Sequence, residues 1–155
     1  MSEFFQFESD FVESLRCIPM QVRYKLDTCG VKLKLAHWHQ FPESVHQDLV
    51  DRPCQNAVEI EAYRHELQQQ VLQYNERPAK DLDIDPNPPW LNPAEVPEAV
   101  GEKARAFNVN LTVKQWQTLT PLQRFALIKL SRSGHENRNF LPALREFGLA
   151  DSVQN

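Results

Sequence analysis

Nine consecutive residues, Ser131-Arg-Ser-Gly-His-Glu-Asn-Arg-Asn139, hold a dense group of charged and hydrogen-bonding side chains. Arg132, His135, Glu136, Asn137 and Arg138 lie inside it, Lys129 stands just before it, and Arg124 precedes both. A guanidinium presents a fork of donors that matches a carboxylate or a phosphate. A polar loop of this content suits a phosphate, a carboxylate or an acidic protein surface. The same residues also suit a plain connection between two helices, with Ser and Asn side chains capping the helix ends. Both readings stand at this level, and these seven residues are the candidate contacts with a partner or an anion.

Elsewhere the chemistry-bearing residues fall short of a site. His37-Trp38-His39 has two imidazoles, but residues two apart on a helix do not share a face. The pair reads as surface histidines flanking a buried Trp. Cys17, Cys29 and Cys54 are separated by 12 and 25 residues, which matches no common ligand spacing. Cys29 lies on an apolar stripe and reads as core. Asp81, Asp83 and Asp85 alternate as in a calcium loop, yet Pro86 follows and the usual Gly and closing Glu are missing. The four glycines form no phosphate-binding loop, and no nucleophile elbow or zinc-protease motif occurs. The expectation is a protein that is not an enzyme, with no catalytic, cofactor-binding or metal-ligating residues.

The bulk properties narrow the class. A chain of 155 residues, 41% hydrophobic and 25% charged, is about one domain's worth and can bury a core. No apolar run is long enough to span a membrane. The N-terminal MSEFFQFESDFVESL is acidic, unlike a signal or transit peptide, so the expectation is a cytoplasmic protein. The odd cysteine count without a close pair argues against a disulfide framework. Residues 1–100 carry 9 Lys/Arg against 17 Asp/Glu, whereas residues 101–155 carry 8 against 4. The chain is thus acidic first and basic later, but the basic part is too weakly charged for general nucleic-acid binding.

The elements that must position these residues are helical. Phe4, Phe7, Phe11, Leu15 and Ile18 recur at helical spacing, with Ser9 as a cap and Pro19 as the end. Pro19 then opens a helix that Gly30 stops. Short helices are predicted over 35–40 and 43–50. Asn56 and Glu59 form a capping arrangement ahead of the longest helix, about 57–75. Six of the eleven prolines fall within 76–97, so that stretch reads as an extended connector along the surface, without helix or sheet. Pro97 opens a helix to Phe107. Thr112 with Gln115, and Thr120 with Gln123, are capping boxes for two more. Leu122 to Leu130 is apolar nearly all round and reads as buried. A last helix runs from Phe140 to Phe147, with Gly148 as its stop.

GVKLKLAHWHQF and NVNLTVKQWQTL, from Gly30 and Asn108, share one pattern. A shift of 78 residues places seven identities between 19–50 and 97–128, among them Pro19 with Pro97, Trp38 with Trp116 and Leu49 with Leu127. The expected fold is therefore an all-α single domain of two pseudo-repeated helical halves, about 1–75 and 97–149, joined by the Pro-rich connector 76–97. Both Trp residues are expected in the core.

The blocks FESDFVESLRCIPMQVRYKLDTCGVKL and LTPLQRFALIKLSRSGHENRNFLPALREFGL resemble the cyanobacterial nitrate reductase-associated protein family, over about residues 5–149. The resemblance implies a small cytoplasmic protein needed for active assimilatory nitrate reductase, a molybdenum and iron–sulfur enzyme. It supplies no assigned catalytic residue. It implies a partner, nitrate reductase or an intermediate in its assembly, and a non-catalytic accessory role through protein–protein binding. The alternatives are a molybdenum-cofactor or iron–sulfur carrier, or a regulatory binding module of nitrogen assimilation. Oligomeric state and the role of the cysteines have no sequence signal.

Overall fold

The computed structural model describes residues 5–8, 18–132 and 138–151. The fold is all-α apart from a ladder of two residues per strand. The residues gather into two compact units that divide between Asp85 and Pro86, with Phe5–Glu8 belonging to the second.

In the first unit, Pro19 caps α1, Met20–Cys29. Val22, Leu26 and Cys29 are buried on its inner face, as the spacing predicts. Gly30 ends the helix at φ 75°, returning its N–H to Leu26 O. This position needs glycine twice over. The left-handed backbone disfavours a side chain, and a Cβ would lie 2.9 Å from both Ile84 Cγ1 and Leu82 O. The chain continues as β1, Val31–Lys32, then α2, Leu35–Gln40, and α3, Glu43–Asp51. The side chain of Asn56 accepts the Glu59 N–H at 2.9 Å and so starts α4, Ala57–Tyr74. Glu59 does not return to Asn56 itself; its carboxylate accepts from the Gln55 N–H. Tyr63, Leu67 and Val71 carry the buried stripe of α4, and the Tyr63 hydroxyl donates to Leu49 O. Lys25 Nζ donates to Val50 O and Arg52 O, satisfying carbonyls that the end of α3 leaves open.

In the second unit, a 3-10 turn at Pro89–Leu91 leads to α5, Glu98–Ala106, with Pro97 as N-cap. Asn108 then takes φ 62°. Two capping boxes, Thr112 with Gln115 and Thr120 with Gln123, open α6, Val113–Thr118, and α7, Pro121–Ser131. Phe125, Ala126 and Leu127 are fully buried on α7. The last helix is α8, Phe140–Glu146, and Gly148 follows at φ 76°. Phe5 and Phe7 pack on Phe147, with ring centroids 5.1 and 6.3 Å away.

Several helix starts coincide at the 78-residue shift. Leu35–Gln40 maps onto Val113–Thr118, and the start of Glu43–Asp51 maps onto the start of Pro121–Ser131. Gly30 and Asn108, both left-handed, correspond, as do the buried pairs Val22/Val100, Leu33/Leu111, Trp38/Trp116 and Leu49/Leu127.

Two expectations change. The stretch 76–97 is not wholly without regular structure. Its first part forms β2, Lys80–Asp81, antiparallel to β1 with Val31 opposite Asp81 and Lys32 opposite Lys80. Gln68 grips Ala79 from both sides, accepting its N–H and donating to its carbonyl, each at 2.9 Å. Prolines exclude a long strand but leave room for two residues. The second part joins the other unit: Trp90 is buried and meets Phe125 edge-on at 5.0 Å. At the N-terminus, Gln6–Glu8 forms a 3-10 turn. The proposed Ser9 cap and Phe11 and Leu15 of the stripe lie outside the described residues.

Candidate functional site

The seven candidate residues separate by burial. Arg124 is 6% exposed and cannot contact a partner. Its Nε donates to Trp90 O at 2.7 Å, and one terminal nitrogen reaches Leu119 O at 2.6 Å and Trp116 O at 3.3 Å. A fork of fixed donors suits several carbonyls at once. Arg124 therefore ties the turn at Trp90 and the end of α6 to α7, and its place among the contact residues is corrected to a structural one. The sequence signal was available: Arg124 sits within the apolar run of α7, where an unshielded charge does not stay.

Lys129 is half-buried and lies over the Phe125 ring, 5.2 Å from its centroid. Arg132 and Arg138 are exposed, at the end of α7 and just before α8. Ser131 closes α7 by donating its hydroxyl to Ile128 O, as the capping reading expects, whereas Asn139 makes no side-chain cap. His135, Glu136 and Asn137 lie outside the described residues.

The remaining polar groups mostly serve the fold. His37 Nδ1 accepts the Lys34 N–H at 3.2 Å and so caps α2. Burial and the nearby Lys34 charge lower its pKa, keeping it neutral with its proton on Nε2. Cys29 and Cys54 are buried free thiols. Burial pushes Cys29 up to about 12 and Cys54 up to about 11. The reactive and metal-binding form is the thiolate, so neither is poised for that chemistry near neutral pH. Cys17 lies outside the described residues. Among the described residues no group of three His, Cys, Asp or Glu side chains is placed to share a metal ion.

One feature of the first unit escaped the sequence. An open groove of about 1110 Å³ lies between the start of α2, the middle of α4 and the segment that follows α4. Lys34, His37, Arg64, Gln68, Arg77 and Lys80 line it. They are drawn from three separate stretches, so no local motif marks them.

Residues 4–147 match the family described as conserved nitrate reductase-associated protein. No curated protein and no solved structure matches the chain. No helix among the described residues is long and apolar enough to cross a membrane.

Proposed function

The chain belongs to the conserved nitrate reductase-associated protein family, and from this premise we propose that it is a non-catalytic accessory factor. It serves the formation of active assimilatory nitrate reductase in the cytoplasm by binding the enzyme or an assembly intermediate. The observation that carries this reading is the family match across nearly the whole chain. Two features of the molecule support it. The buried polar side chains Arg124 and His46 are engaged with backbone carbonyls, and the buried cysteines are held as thiols. Arg132 and Arg138 are exposed, and a guanidinium at the surface suits carboxylates of a partner.

The test is an Arg132→Ala, Arg138→Ala double variant in a strain that depends on nitrate. Both side chains are exposed, so the variant should fold as the wild type does. Nitrate reductase activity should fall, and co-purification with the enzyme should weaken further as salt rises. A normally folded double variant with unchanged activity and co-purification would remove these arginines from the contact surface.

A further inference from the structure

The groove of the first unit is a cationic feature on an acidic part of the chain. Lys34, Arg77 and Lys80 are exposed along it, and none of the three makes an ion pair with a described carboxylate. Arg64 is already committed: it donates to Cys29 O and Gly30 O and pairs with Asp81. This cancels the Asp81 charge and leaves Glu76 as the other carboxylate of the lining. The lining is thus three unpaired cations against one unpaired anion.

Three observations define what would fit. The groove is open, at about 1110 Å³, and its lining mixes the cations with apolar surface from Tyr74, Pro78 and Ala79. Those features favour an extended chain over a small ligand. The body around it is acidic, with 9 Lys/Arg against 17 Asp/Glu in residues 1–100, so a long polyanion such as nucleic acid is repelled outside the groove. A short carboxylate-bearing segment meets the cations without that repulsion. The repeat adds an internal comparison. At the 78-residue shift Lys34 falls on Thr112, so the start of the helix does not require a cation there.

We propose that the groove lined by Lys34, Arg77 and Lys80 binds an extended, Asp/Glu-rich segment of a protein partner. Gln68 and the Arg64–Asp81 pair hold the strand side of the groove in place, so the site is formed before the partner arrives. This rests on the reading of the chain as a protein-binding accessory factor, but it can be tested without nitrate reductase.

The probe is a fluorescein-labelled hexaglutamate peptide, followed by anisotropy with the full chain. Saturable binding is expected, falling as salt rises. Arg77→Glu with Lys80→Glu should weaken it about tenfold or more, because each change removes an attractive charge and adds a repulsive one. Arg132→Ala with Arg138→Ala should leave it unchanged. No saturable binding, equal binding of labelled hexaglutamine, or insensitivity to the groove substitutions would overturn the proposal. Displacement by inorganic pyrophosphate at lower concentration than by unlabelled peptide would make this a small-oxyanion site instead. A dimer in gel filtration that the groove substitutions dissociate would make the occupant a second copy, which also overturns it. Loss of peptide binding with normal nitrate reductase activity would keep the groove assignment and break only its link to that enzyme.

Discussion

His46 and Arg124 hold the same post in their respective units. Each lies eight residues after a buried Trp and bonds to that Trp's carbonyl: His46 Nε2 to Trp38 O at 2.7 Å, and the Arg124 guanidinium to Trp116 O at 3.3 Å. The 78-residue shift carries one onto the other. One scaffold thus uses two different donors for the same carbonyl. The His46 ring also stacks on Trp38 at 4.0 Å, whereas Arg124 reaches on to Leu119 O and Trp90 O.

Arg124→Ala should accordingly cost more than any other single Arg change in the described second unit. It strips the charged donor from three carbonyls in a buried place, a loss on the order of 3 kcal/mol. Arg124→Lys should recover only part, because an ammonium cannot reproduce the planar fork. Urea midpoints of the two variants, beside Arg132→Ala as an exposed control, decide this. Equal midpoints for all three would mean that Arg124 is not structural.

The two Trp residues differ in one bond. Trp116 Nε1 donates to Asn92 O at 3.2 Å, whereas Trp38 Nε1 is buried with no partner among the described residues. Truncation of either to Ala should cost about 3–5 kcal/mol. Replacement by Phe should separate them. Trp116→Phe loses a hydrogen bond that Trp38→Phe does not, so it should be the more destabilising by about 1 kcal/mol. The difference in unfolding free energy between the two Phe variants is the measurement, and the opposite order would contradict the assignment.

Gly30 and Asn108 both adopt left-handed backbone, and at Gly30 a side chain would also be crowded. Gly30→Ala meets Leu82 O and Ile84 besides the backbone penalty of about 1–2 kcal/mol, so it should exceed that figure. Asn tolerates this conformation, so Asn108→Gly should stay within about 0.5 kcal/mol of wild type. Thermal unfolding of both variants checks the pair. A harmless Gly30→Ala would show that the approach of 82–84 to Gly30 does not exist in solution.

The legibility of the fold follows the range of its interactions. Caps at Asn56, Thr112 and Thr120, and stops at Gly30, Asn108 and Gly148, act within a few residues and were readable from local sequence. The pattern shared by 19–50 and 97–128 was visible because buried positions such as Trp38/Trp116 and Leu49/Leu127 fall at the same spacing. The role of 76–97 was not. Proline content predicts what its backbone cannot do, but Gln68 gripping Ala79 and Arg124 gripping Trp90 are contacts over 11 and 34 residues. The site divided in the same way. Arg124 looked like its neighbours in composition, and only its burial distinguishes it from Arg132 and Arg138. The groove cations are invisible in sequence because folding alone assembles them.

Alkaline pH should unfold the protein through its first unit. Burial raises Cys29 from 9.0 to about 12 and Cys54 from 9.0 to about 11, and pushes the Tyr63 phenol well above its usual value. A thiol whose folded pKa exceeds its unfolded one keeps its proton longer in the native state. Its contribution is full below the unfolded value and is lost as pH rises toward the folded one. Lys25 pulls the other way, since burial lowers its pKa and the cost of keeping it charged is relieved as pH rises. Three groups oppose one, so stability should decline from about pH 9 upward. Urea unfolding across this range should show that decline in wild type and a shallower slope in a Cys29→Ala, Cys54→Ala variant. The comparison uses slopes, so a uniform loss of stability from the two truncations does not obscure it. An unchanged slope would mean that the thiols ionise as freely in the folded protein as in the unfolded chain, and that Cys29 and Cys54 are not held in an apolar core.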